Sequence, residues 1–248
     1  MKIILLLAST ATFLLAACEN SAKTESNTAA SPAGDNPVAA APGAADWTTQ
    51  VVETPEGGYR MGNPDAPVKL VEFGSMTCHV CRDFAADSAG ALEDKYIKTG
   101  QVSFEFRNFV RDQYDIVASL LARCQGPGPF FKLTEQMFAE QDAFIAKAQA
   151  ISAAEVKALD ALPTSQQFVR LAGVMGLDKF VGMRGVPSAK AKACLADDAQ
   201  LNRLVAMNQA ASKEYEIRGT PTFLINGKVV TEAVQWKALE PKIQAALR

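Results

Sequence analysis

Two short stretches in the first half of the chain alternate between apolar and polar positions. Pro67-Val68-Lys69-Leu70-Val71-Glu72-Phe73 is rich in β-formers and predicts a buried strand, and Val102-Ser103-Phe104-Glu105-Phe106 predicts a second. Between them Phe84, Ser88, Ala91, Leu92 and Tyr96 recur at helical spacing, which puts Cys78 at or near the N-terminus of a helix. Strand, helix, strand is a βαβ unit, whose strands run parallel with a right-handed crossover. From about 112 to 216 the pattern turns helical. Tyr114, Val117, Ala118, Leu121 and Cys124 share one face, and Phe131, Met137 and Phe138 lie in a second helical piece. Ser152 to Asp160 and Ser165 to Met175 are further helices, and Leu201, Leu204, Val205 and Tyr215 belong to one that approaches the last β segment. There Thr222-Phe223-Leu224-Ile225 and Lys228-Val229-Val230 flank Asn226-Gly227, a pair that tolerates the positive φ angles of a tight hairpin. A final helix runs from about Val234 to Leu247. The order is βαβ, a helical block, then ββα.

The first 46 residues follow none of these patterns. Lys2 precedes an apolar run, Ile3 to Ala17, too short for a comfortable membrane span, so residues 1–17 read as a signal peptide. The run ends Leu15-Ala16-Ala17-Cys18, which resembles the bacterial lipoprotein processing box, where the cysteine becomes the lipid-modified first residue. The plainer alternative is an ordinary signal peptide cleaved nearby. Residues 18–46 would then hold the lipid attachment site and a disordered tether, without an aromatic residue or apolar periodicity. The folded part is 47–248, with the helical insertion at about 112–216. The expected location is the periplasm, with the protein lipid-anchored to a bacterial membrane.

With 25 basic and 27 acidic residues, a net charge of −2 and no basic cluster, the chain offers nothing to nucleic acid. Of its 5 cysteines, Cys18 belongs to the processing box, leaving Cys78, Cys81, Cys124 and Cys194. An even number in an exported protein suggests disulfides.

Cys78-His79-Val80-Cys81 carries the chemistry. Only a thiolate attacks a disulfide, and a thiol in the first turn of a helix faces unpaired N–H groups and the positive end of the dipole. The second thiol can reach back across that turn to close a disulfide or resolve a mixed one. His79 adds a candidate positive charge beside Cys78. A tetrahedral zinc site would need four ligands, whereas the chain has one CxxC, isolated further cysteines and His79 as its single histidine. A structural staple across two residues would constrain the unfolded chain little. Two soft thiolates could also hold Cu(I), with Met76 close by.

The stretch MGNPDAPVKLVEFGSMTCHVC, together with RGTPTFLINGK near the C-terminus, resembles the DsbA-like thiol–disulfide oxidoreductases of the thioredoxin superfamily over roughly residues 59 to 248. The resemblance implies an α/β thioredoxin fold with a large helical insertion between the βαβ and ββα halves. It makes Cys78 the exposed nucleophile and Cys81 its buried partner. It makes Glu72, six residues before Cys78, the buried acid that exchanges protons with Cys81; by its position alone Glu72 could be an ordinary polar residue on a strand edge. Thr220-Pro221 becomes a cis-proline loop facing the CxxC, where the Thr220 backbone pairs with a substrate chain. Cys124 and Cys194, which by themselves could be buried free thiols, become a structural disulfide. The implied activity forms disulfides in exported cysteine-containing proteins, with a membrane redox partner for turnover and no organic cofactor or metal. An isomerase or reductase of the same fold is the alternative, towards which Thr220 leans, and a copper-handling lipoprotein is another. One departure stands out: the familiar oxidase motif has histidine beside the second cysteine, where this chain has Val80, whose side chain cannot donate to the Cys78 thiolate.

Overall fold

In the computed structural model, which describes residues 46–248, the two alternating stretches form the middle of a six-stranded sheet. Strands β1 (Val51–Glu53), β2 (Tyr59–Met61) and β3 (Val68–Gly74) precede helix α1 (His79–Ala91), and β4 (Val102–Asn108) follows it. Helices α2 (Gln113–Arg123), α3 (Pro127–Ala139), α4 (Gln141–Gln149), α5 (Ala153–Asp160), α6 (Thr164–Met175), α7 (Leu177–Gly182), α8 (Ser188–Leu195) and α9 (Asp198–Tyr215) form the inserted block. Strands β5 (Thr222–Ile225) and β6 (Lys228–Val230) and helix α10 (Trp236–Ala246) close the chain. The sheet order is β1-β2-β4-β3-β5-β6. β3 and β4 pair in parallel, as a βαβ unit requires, and β5 lies antiparallel on the other side of β3. With neighbours on both edges, β3 is buried at every position but Lys69, which explains its nearly unbroken apolar run.

The inserted helices start where short polar side chains take up their free N–H groups. Asp112 accepts from Tyr114 and Asp115 N–H at 2.9 Å each, Ser152 and Glu155 form a reciprocal capping box, and Asp197 caps α9. The β5–β6 turn is built as its sequence predicts, with Asn226 at φ 49° and Gly227 at φ 78°.

The β1–β2 hairpin is not among the predicted elements. Its three-residue strands are held from elsewhere in the chain. The buried guanidinium of Arg123, at the end of α2, lies 4.3 Å from the Tyr59 ring centroid and donates to Gly57 O at 2.9 Å and Asn108 Oδ1 at 3.2 Å. Thr54 Oγ1 donates to Glu105 Oε1 at 2.6 Å.

Cys124 and Cys194 are joined by a disulfide with Cα atoms 5.5 Å apart, bridging the end of α2 to α8 across 70 residues of sequence. Closing a loop of that length removes unfolded-state entropy worth about 4 kcal/mol. The Cys124→Ser/Cys194→Ser protein is therefore expected to lose stability of that order in urea denaturation. A loss under about 1 kcal/mol would mean that the helices hold these ends without the bond.

The expected signal peptide, Cys18 and all but the last residue of the expected tether lie outside the described residues. Among the described residues no helix is long and apolar enough to cross a membrane.

Candidate active site

β3 ends at Gly74 and the chain turns through Ser75, Met76 and Thr77 before α1 begins. Cys78 is the N-cap residue of α1 and Cys81 lies in its first turn; both are free thiols, so the site is in its reduced form. Opposite them the Thr220–Pro221 peptide bond is cis, and the Cys78 thiol donates to Thr220 O at 3.3 Å. Glu72, two residues before the end of β3, lies in mid-sheet between Phe106 of β4 and Phe223 of β5. Gly74 leaves room for its carboxyl: a Cβ there would sit 2.8 Å from Glu72 Oε1 and inside the Phe106 ring contact.

The two thiols are driven apart in acidity. Cys78 is lowered to about 5, first by a hydrogen bond from the Cys81 thiol. The Thr220 side chain and the main-chain N–H groups of Cys81 and Val80 add to this against the cost of burial. Cys81 is pushed well above the ordinary thiol value, first by burial, then by its hydrogen bond to Cys78 and the charge of Glu72. Glu72 is itself raised well above a normal carboxyl, mainly because it is 2% exposed and also because an anionic Cys78 opposes its ionisation. Its Oε1 has no hydrogen-bond partner. Such a carboxyl keeps its proton to higher pH than an ordinary one and can pass it to a neighbour.

Two expectations and one alternative reading need correction. Cys78 is 4% exposed rather than open, because the Thr220 loop covers it. His79 is exposed at the first position of α1, and the groups that lower Cys78 do not include it. Val80's side chain donates nothing to the Cys78 thiolate; its main-chain N–H does, as that of any residue but proline at the start of a helix would. Glu72 is on no strand edge, as β3 is central.

Two residues that the sequence reading passed over reach the same turn. Asp115 of α2, fully buried, accepts from Met76 N–H at 2.8 Å through Oδ1 and from Arg111 N–H at 3.0 Å through Oδ2. Burial raises it to about 7 against the pull of Ser75, Arg111 and Met76. Gln141, the first residue of α4, donates from Nε2 to Met76 O at 3.0 Å and Cys78 O at 3.1 Å. Asp115 carries a faint sequence signal, an acid beside the apolar stripe of α2; Gln141, in Glu140-Gln141-Asp142, carries none. Among the described residues no group of three or more His, Cys, Asp or Glu side chains gathers as a metal site would.

The thioredoxin family model matches residues 54–245 of this chain. A protein-disulfide isomerase of Novosphingobium aromaticivorans is 30% identical, with 76% of this chain and 96% of that one covered and a TM-score of 0.72. A protein of Rickettsia bellii named "Putative protein-disulfide oxidoreductase" is 28% identical over 187 residues, covering 75% of this chain and 63% of that one. The chain thus spans less than two thirds of the length of that curated relative, and the same holds for its Rickettsia prowazekii counterpart at 60%. Disulfide bond formation protein D of Bacillus subtilis is 23% identical, with 76% of each chain covered.

Proposed function

The chain belongs to the thioredoxin family, and on that premise we propose that it is a thiol–disulfide oxidoreductase that forms disulfides in exported cysteine-containing proteins. The observation that carries this reading is the opposite shift of the two thiols, Cys78 down to about 5 and Cys81 well up. In the oxidised protein a substrate thiolate attacks Cys78 Sγ, the Cys78–Cys81 bond breaks, and Cys81 leaves with the electron pair. Because Cys81 holds its proton strongly, it takes one, and protonated Glu72 is the buried donor beside it. A second substrate thiolate attacks the substrate sulfur of the mixed disulfide and expels Cys78. A thiol of low pKa leaves readily, so this step favours release of oxidised substrate. The substrate gains one disulfide, and the Cys78/Cys81 pair carries away two electrons, which a membrane redox partner must remove. No organic cofactor or metal takes part.

The apolar run before Cys18 supports export, and the Leu15-Ala16-Ala17-Cys18 box supports lipid attachment in the periplasm. Thr220, and the isomerase name carried by the Novosphingobium relative, favour a second reading in which the same site works from its reduced state. The reduction potential separates them. Equilibration with glutathione is expected to give a value towards about −120 mV, as suits an oxidant; one near about −270 mV would reverse the direction of the proposed reaction.

A further inference from the structure

Met76 is fully buried, and side chains from the inserted helices hold it by both main-chain groups: Asp115 of α2 takes its N–H, and Gln141 of α4 gives an N–H to its carbonyl. The same Gln141 Nε2 donates to the carbonyl of Cys78, which also receives the N–H of Arg82 in α1. Asp142, next along α4, pairs with Arg82. The start of α4 therefore grips the first turn of α1 twice, once through main chain and once through charge.

The Gln141 amide has two N–H donors and meets two carbonyls. Turned over, it would put oxygen against oxygen, so the chemistry fixes its orientation. Its own Oε1 is then buried without a partner. A side chain kept only to fill this space would carry no such stranded oxygen, since leucine or methionine fills it without one. The unpaired oxygen indicates that the two N–H groups are what the position retains. An N–H placed on each carbonyl of the turn that bears the thiol draws negative charge away from it.

We propose that Gln141 is a positioning residue for Cys78: its amide, with Asp115 as counter-anchor on Met76, aims the carbonyls of the reactive turn and so raises the share of Cys78 held as thiolate. The inference rests on Cys78 being the nucleophile. The ionisable groups around that turn are Cys81 and Arg82 of α1, Glu72 of β3, Asp115 of α2 and Asp142 of α4; all are unchanged by substitution at Gln141, and Asp115, which titrates at about 7, lies above the acid midpoint being read.

The test is the rate of iodoacetamide alkylation of Cys78 in the reduced full-length protein from pH 3 to 8, with the modified cysteine identified by mass. The native protein must show a midpoint far below that of an ordinary thiol; if it does not, the nucleophile reading itself fails, whatever Gln141 does. Given a low native midpoint, Gln141→Leu is expected to raise it by about one unit, about a tenfold loss of thiolate at pH 4. Gln141→Glu keeps the size and decides the matter should the leucine variant not fold. Its carboxyl donates one hydrogen bond when protonated, so its deficit is partial in acid and grows as it ionises. Gln166→Leu, on the exposed side of α6, is the control and should titrate as native. A folded Gln141 variant with the native midpoint, or a lower one, overturns the proposal even if its melting temperature falls, because packing alone would move stability and leave the titration in place.

Discussion

Cys78→Ser is expected to abolish catalysed thiol–disulfide exchange, while Cys81→Ala converts the protein into a trap that keeps its substrates. Serine matches cysteine in size and is tolerated at the N-cap of α1, so the fold should persist. An alcohol neither ionises at neutral pH nor forms a disulfide, so the rate should drop on the order of 10³-fold or more, to the background reaction. Cys81→Ala leaves Cys78 free to join a substrate sulfur and removes the thiol that would resolve the adduct from within. One substrate per chain should then run as a covalent complex on non-reducing gels, released by reductant and absent when Cys78 is also replaced. Residual exchange by Cys78→Ser, or adducts that survive loss of Cys78, would locate the nucleophile elsewhere.

Glu72→Gln should separate the proton-transfer step from the rest of the cycle. Glutamine keeps the shape of the side chain beneath the thiols but can neither hold nor pass a proton. The departure of Cys81 then lacks its buried donor, and single-turnover oxidation of a reduced peptide should slow by about 10²-fold. Stability moves the other way. A carboxyl whose pKa is raised on folding favours the folded state while protonated, and that advantage is lost as pH climbs from its unfolded value of 4.5 to its raised folded value. The Glu72→Gln protein, neutral at every pH, avoids the loss. It should gain on the native protein by about 1.4 kcal/mol for each pH unit across that window, then level off. Reduced protein melted at a series of pH values tests this. A constant stability difference from pH 4 upward, with an unchanged oxidation rate, would remove Glu72 from the proton path.

What could be read from the sequence depended on where the information lies. Cys78 and Cys81, the Asn226-Gly227 turn and the alternation of β3 and β4 act through residue identity at short spacing, so they were visible. The Val51–Glu53 and Tyr59–Met61 hairpin was not, because Thr54 finds Glu105 and Gly57 finds Arg123 51 and 66 residues away. Asp115 and Gln141 were missed for a different reason. Their partners in the reactive turn are main-chain groups of Met76 and Cys78, which are the same in every residue and leave no mark in a sequence. His79 misled because adjacency along a helix is not adjacency in space. Each residue turns by about 100°, which sends His79 outward while Cys81, three positions on, returns to the face of Cys78.

The bridge between α2 and α8 gives the protein a genealogy. On the reading proposed above, a molecule that installs sulfur–sulfur bonds in others carries one of its own, between Cys124 and Cys194. Were that bond made by the same chemistry, newly made copies would mature fastest where finished copies already work.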